Sequence, residues 1–136
     1  MKRVLITGGA GFIAHHLIGH ILKTTDWEIV TLDRLDYSGN LNRLHDLMIP
    51  FMPETKRRVK IVHHDLKAEL NPLVQSEIGE VDYILHLAAG SHVDRSIEYP
   101  MEFVLDNVVG TCNILNFART VDNLELFMYF STDEIF

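Results

Sequence analysis

Near its end the chain carries Ser131-Thr132-Asp133-Glu134, hydroxyls followed by two adjacent carboxylates, and near its start Thr7-Gly8-Gly9-Ala10-Gly11-Phe12-Ile13-Ala14. The first group is suited to acid–base chemistry. Neighbouring acids split their pKa values, one staying protonated as an acid and the other ionised as a base, a division that serves removal of water across two adjacent carbons. Successive side chains on a regular strand point to opposite faces, so both carboxylates meet one substrate only where the backbone turns. The structural alternative is a capping turn closing the strand before it, a place that Ser, Thr and Asp favour.

The second group handles phosphate. Gly8 takes backbone angles that crowd any Cβ, and Gly11 lets a diphosphate reach the amides at a helix N-terminus, where the helix dipole favours an anion. Ala14 fills the last small position, which needs only close packing of helix on strand. Asp33 ends the next apolar run about 20 residues on, where a carboxylate accepts hydrogen bonds from a ribose 2′-hydroxyl. The same carboxylate repels a 2′-phosphate, which selects NAD over NADP. A glycine triplet by itself is a weak signal; with strand, helix and terminal acid in register it is strong.

Other reactive side chains read as structural. His16 and His20 lie one turn apart on a helix without an acidic third ligand nearby, so packing or exposed histidines are expected rather than a metal site. Lys56-Arg57-Arg58 with Lys60 reads as a solvated loop and strand start rather than a phosphate patch. Cys112, the single cysteine, falls in a helical apolar pattern and is expected in the core; a disulfide framework is impossible, and a reducing compartment fits.

The elements that must position these groups alternate. Strands are expected at Val4–Ile6, Glu28–Asp33, Val59–His63, Tyr83–Leu87 and Leu126–Phe130. Helices are expected at Phe12–Thr24, with Phe12, Leu17, Ile18, Ile21 and Leu22 on its apolar face, and at Leu41–Leu47. A further helix falls in part of Ala68–Ser76, with Pro72 at its start or at a kink. The longest runs from Phe103 to Arg119, with Phe103, Val104, Val108, Leu115 and Ala118 buried. Tyr37–Asn40 is a turn and Ile49–Lys56 a loop. This alternation predicts an α/β, Rossmann-type, doubly wound parallel sheet of order 3-2-1-4-5, with its ligand beyond the carboxyl ends of the strands. At that edge gather Gly8, Gly11, Asp33, Asp65, the stretch 88–91 and Thr132 to Glu134.

With 136 residues, 47% of them hydrophobic, one core is expected. The net charge of −7 argues against nucleic-acid or anionic-membrane binding as the main role. Apolar runs are too short for a signal peptide or a membrane span.

Several segments together resemble the extended short-chain dehydrogenase/reductases, and within them the nucleotide-sugar 4,6-dehydratases. These are Ile6 to Ile13, Tyr37 to Leu41, His86-Leu87-Ala88-Ala89, Ser91-His92-Val93-Asp94-Arg95-Ser96-Ile97, Asn107 with Gly110-Thr111, and Ser131 to Glu134. The run from Ser91 to Ile97 followed by Thr132-Asp133-Glu134 is the discriminating part, since epimerases and decarboxylases of the group usually lack the Asp-Glu pair. The resemblance implies that bound NAD exchanges a hydride with C4 and then C6 of the sugar, Thr132 contacts the substrate, Asp133 is the acid at the C6 hydroxyl and Glu134 the base at C5. It implies that Phe12, Ile13, Asp33, Arg34, Leu35, Asp65, Leu66, Leu87, Ala88 and Ala89 line the NAD site and that Ser91 touches the sugar nucleotide. It also implies a cytoplasmic homodimer in the full-length form.

Five positions depart from the family's pattern: Ala14, His15 and His16 stand where it has glycine and small residues, Gly90 replaces a glutamate, and Asp106 a threonine that approaches the cofactor. Asp106 is expected to weaken binding by placing a second negative charge near the diphosphate. No tyrosine is followed four residues later by lysine, the pair that drives oxidation in the family. Residues 1–136 therefore read as a partial NAD-binding domain without its sugar-nucleotide-binding domain, and full turnover is expected to be absent. A sister epimerase or decarboxylase and a non-catalytic NAD-binding module are the competing readings.

Overall fold

The computed structural model describes residues 1–34, 41–88 and 93–131, with only the backbone described at 41 and at 93–95. Its strands are β1 (Arg3–Thr7), β2 (Glu28–Asp33), β3 (Val59–His63), β4 (Tyr83–His86) and β5 (Leu126–Tyr129). All pair in parallel, in the order β3-β2-β1-β4-β5. The expected topology is the one observed.

Both faces of the central strands are covered, which is why Val4-Leu5-Ile6 and Ile29-Val30 run apolar without a break. On one face Val4, Ile6 and Ile29 meet Ala14, Ile18, Ile21 and Leu22 of α1 (Phe12–Thr24) and Leu44 of α2 (Leu41–Met48). On the other, Leu5, Val30, Leu32 and Ile84 meet Ile78 of α4 (Pro72–Ile78) and Ile114 and Phe117 of α7 (Gly110–Arg119). Alternating direction along each strand sorts the residues between the two layers.

Local chemistry sets the ends. Pro72 starts α4 rather than kinking it: Asn71 caps the helix by accepting the Val74 N–H at 2.9 Å, and Gly79 ends it at φ +73°. Residues 49–56 are not wholly loop, because Met52-Pro53 opens one helical turn, α3 (Pro53–Lys56). Val93–Glu98 forms α5, for which no helix was expected.

The long helix is built in three pieces, α6 (Pro100–Val104), a π-helical turn at Leu105–Val109, and α7. The π turn is marked by the Gly110 N–H donating to the Leu105 carbonyl, five residues back. The buried stripe of α7 is Gly110, Asn113, Ile114 and Phe117, the i, i+3, i+4, i+7 positions of one face. Val104, Val108 and Leu115 lie off that stripe and are exposed, against expectation. Cys112 is off it too, and is exposed rather than in the core. Phe12, expected on the buried face of α1, is 67% exposed. Its position at the first turn carries it past the edge of the sheet, where its ring meets those of His15 and His16 edge-on.

Candidate nucleotide site at the carboxyl edge of the sheet

The glycine turn leaves β1 between two strands. The Gly8 N–H donates to the Leu32 carbonyl of β2 at 2.7 Å, and the Gly11 N–H closes the turn onto the Gly8 carbonyl at 2.9 Å. Gly8 has φ +72°, the left-handed region, and a Cβ there would meet the Ala88 backbone at 3.0 Å. Gly11 is extended, so its need is for space: a Cβ would lie 3.0 Å from the Gly8 oxygen. Gly9, which the spacing motif passes over, is the tightest of the three. A Cβ on it would fall 2.6 Å from the Thr31 Cβ on β2.

Asp33 is turned toward this loop. Its Oδ2 accepts the Ala10 N–H at 3.1 Å, and the residue is 8% exposed. Arg43 of α2 donates to the Ala10 carbonyl at 3.2 Å, so the apex of the turn is held from both sides. Gly11 is the N-cap of α1, with no side chain to cap it, and the first turn contains no acid. The amides there and the dipole behind them suit an anion. Ile13, 68% exposed, and Phe12 present apolar surface beside them.

The neighbouring strand ends form the rest of the edge. Thr7 and His86 are register partners at the ends of β1 and β4, both fully buried. The Thr7 hydroxyl oxygen accepts the N–H groups of Leu87 and Ala88, each at 3.0 Å. Its lone pairs being so used, its hydrogen donates to His86 Nδ1 at 2.7 Å. Nε2 therefore keeps the imidazole proton and donates to Thr111 Oγ1 at 2.9 Å. Burial of the imidazole pushes its pKa down from 6.5 to about 4. The neutral ring thus fixes where the chain leaves β4.

Beyond β3, Asp65 Oδ1 accepts the Lys67 N–H at 3.0 Å, shaping the turn, and Leu66 is buried. Asn113 donates to the Leu66 carbonyl at 2.6 Å, and a Cβ on Gly110 would lie 3.3 Å from the Leu66 Cβ. The start of α7 thereby docks on the loop after β3. One turn earlier, Asp106 accepts two hydrogen bonds from Arg34, at 2.5 and 2.9 Å. The charge expected to burden a diphosphate is instead neutralised by the residue after Asp33.

The structure thus brings Gly8, Gly11, Phe12, Ile13, Asp33, Arg34, Asp65, Leu66, Leu87 and Ala88 to one edge of the sheet. Leu35, Ala89, Ser91, Thr132, Asp133 and Glu134 lie outside the described residues, as does the turn at Tyr37–Asn40. Spacing motifs did not single out Gly9, Thr7, His86, Arg43 or the Arg34–Asp106 pair as a unit. Their partners are 22 to 81 residues away, and although Thr7, Gly9 and His86 lie inside quoted motifs, those motifs do not reveal which residue each one meets.

Two members of the basic cluster, Arg58 and Lys60, are tied into the fold, and Lys60 donates to the Glu77 carbonyl at 2.8 Å. Arg58 donates to the carbonyls of Trp27 at 2.9 Å and Thr25 at 2.7 Å, tying β3 to the chain between α1 and β2. Among the described residues no group of three or more His, Cys, Asp or Glu converges as a metal would require, and no helix is long and apolar enough to cross a membrane.

A parallel 3-2-1-4-5 sheet with a left-handed glycine after β1 and an inward-turned acid ending β2 defines a Rossmann-type α/β domain. The chain belongs to the GDP-mannose 4,6 dehydratase family, which it matches over residues 5–136. It is 38% identical to the dTDP-glucose 4,6-dehydratase of Salmonella typhimurium, over 98% of this chain and 38% of that protein. Among solved structures it resembles the UDP-Glc/GlcNAc 4-epimerase of Campylobacter jejuni, with TM-score 0.82 and 30% identity over 98% of this chain and 38% of that one. It also resembles a dTDP-glucose 4,6-dehydratase of Streptomyces venezuelae solved with NAD bound, with TM-score 0.75 and 36% identity over 93% of this chain and 38% of that one. The chain therefore spans well under half the length of the relatives it matches. These likenesses agree with the family resemblance read from the residues.

Proposed function

We propose that the chain is the NAD-binding part of a nucleotide-sugar 4,6-dehydratase acting on a nucleotide-activated glucose. The observation that carries the cofactor assignment is the bond from Ala10 N–H to Asp33. It sets a carboxylate beside a turn in which Gly8 and Gly11 leave no room for a Cβ, the fit that a ribose next to a diphosphate needs.

In this reading the diphosphate lies on the amides at the start of α1, Asp33 takes the adenosine ribose, and Asp65 and Leu66 border the adenine. Leu87, Ala88 and Ala89 pass beside the nicotinamide half. When bound, NAD+ accepts the hydride from C4 and returns it to C6. Thr132 holds the substrate, Asp133 gives a proton to the departing C6 hydroxyl, and Glu134 takes the proton from C5. A ketone at C4 acidifies that C5 proton, so a carboxylate suffices as base. Ser91 contacts the sugar nucleotide. The dTDP-glucose enzymes among the relatives support glucose activated by a nucleoside diphosphate as the substrate class. A homodimer and a cytoplasmic location belong to the same proposal.

The epimerase likeness sustains a second reading, a sister enzyme that inverts C4. The Asp133–Glu134 pair favours dehydration, which alone needs both an acid at C6 and a base at C5. Incubation of the full-length protein with dTDP-glucose and NAD+ tests this. The expected product is a 4-keto-6-deoxy sugar, seen by its absorbance in alkali. A C4 epimer, or no product from any nucleotide glucose while NAD is bound, overturns the assignment.

A further inference from the structure

We propose that Asp106 sets the choice between NAD and NADP by holding Arg34, an inference that rests on the cofactor site described above. Arg34 follows Asp33 directly, at the end of the strand where an adenosine 2′-position would lie. An arginine there is a natural partner for a 2′-phosphate, because its planar fork matches phosphate oxygens two at a time. In this chain that fork is committed elsewhere, with both of its terminal nitrogens on the two Asp106 oxygens at 2.5 and 2.9 Å.

Three features make the pair a built device rather than a passing surface contact. Both side chains are largely shielded, 26% exposed for Arg34 and 11% for Asp106, so solvent screens the pair weakly. The Arg34 backbone is pinned, since the His63 ring donates to its carbonyl at 3.0 Å. Asp106 stands in the π-helical turn, whose extra residue re-aims its side chains relative to a regular helix. The helix α7 that continues from that turn is docked on the loop after β3 through Asn113 and Gly110.

A 2′-phosphate would have to draw Arg34 away from a paired carboxylate and leave Asp106 charged and shielded beside the new phosphate. The cost falls on NADP alone, because a ribose hydroxyl asks nothing of Arg34. Asp33 and Asp106 thus discriminate by different routes, the first by direct repulsion and the second by withholding a cation.

The test is calorimetric titration of the full-length protein with NAD+ and with NADP+, for wild type, Asp106→Asn, Arg34→Gln and the double variant, each checked for folding by circular dichroism. Wild type is expected to bind NAD+ and to discriminate against NADP+. Asp106→Asn is expected to narrow the NADP+/NAD+ ratio of dissociation constants about tenfold, the scale of one charge-assisted contact. Adding D106N to Arg34→Gln is expected to leave the ratio unchanged. An unchanged ratio in Asp106→Asn overturns the proposal, and so does an equal gain in the two arginine backgrounds, which would make Asp106 a simple negative charge. Wild type binding neither nucleotide would remove the cofactor site itself, a different failure from a site that binds NAD+ but ignores Asp106.

Discussion

Asp33 Oδ2 accepts the N–H of Ala10 at 3.1 Å, so the acid that ends β2 also holds the apex of the glycine turn after β1. One carboxylate therefore shapes the diphosphate loop and faces the position of the ribose. Substitutions can separate the two tasks. Asparagine keeps an oxygen for Ala10 and loses the charge. Asp33→Asn is expected to weaken NAD+ binding about tenfold, the worth of a charge-assisted hydrogen bond, while the melting temperature changes little. Asp33→Ala is expected to lower both. Calorimetry with NAD+ and thermal denaturation on the same samples check this, and equal losses of stability in the two variants would count against it.

Packing of the turn on β2 gives an opposed pair of expectations. A methyl at Gly9 has no space, since Thr31 stands 2.6 Å from where it would sit in a fully buried strand. Gly9→Ala is expected to cost about 2 kcal/mol by overpacking. The Thr31 hydroxyl, by contrast, is buried with no partner among the described residues. Thr31→Val, of nearly the same shape, is expected to stabilise by about 1 kcal/mol through removing an unsatisfied polar atom. Urea denaturation measures both.

The Thr7 hydroxyl satisfies two backbone amides and one ring nitrogen. Thr7→Val leaves the amides of Leu87 and Ala88 and the His86 ring without that oxygen, in a site closed to water. A loss of about 3 kcal/mol is expected, whereas Thr7→Ser is expected to retain most of the stability because it keeps the hydroxyl. A valine variant as stable as the serine variant would show that the network contributes little.

His86 makes stability depend on pH in a defined window. Its folded-state pKa, about 4, lies below the usual 6.5, so the unfolded chain binds the proton more readily. Above pH 6.5 both states are neutral and the ring adds no pH dependence. As pH falls from 6.5 toward 4 the unfolded state gains a proton that the folded state refuses, and stability declines, by about 2 kcal/mol at pH 5. Denaturation midpoints at pH 7 and pH 5 are expected to differ accordingly, with a smaller difference in His86→Gln. A His86→Gln variant with an undiminished slope would assign the dependence to other groups.

Period and punctuation in the chain were enough for the sheet order, the five strands, α1 and the pairing of a glycine turn with a distant acid. Those features follow from local rules: apolar runs bury on both faces, glycine permits a positive φ, and parallel strands need crossovers. Tertiary structure alone decided which face of the long helix is buried. The stripe of α7 that docks on the sheet is Gly110, Asn113, Ile114 and Phe117, so Val104, Val108, Leu115 and Cys112 face outward. It also decided that Asp106 is answered by Arg34, 72 residues away in sequence, and that Thr7 and His86 meet side by side. Charge and hydrogen-bond partners are chosen by proximity in space, which residue spacing along one element does not encode.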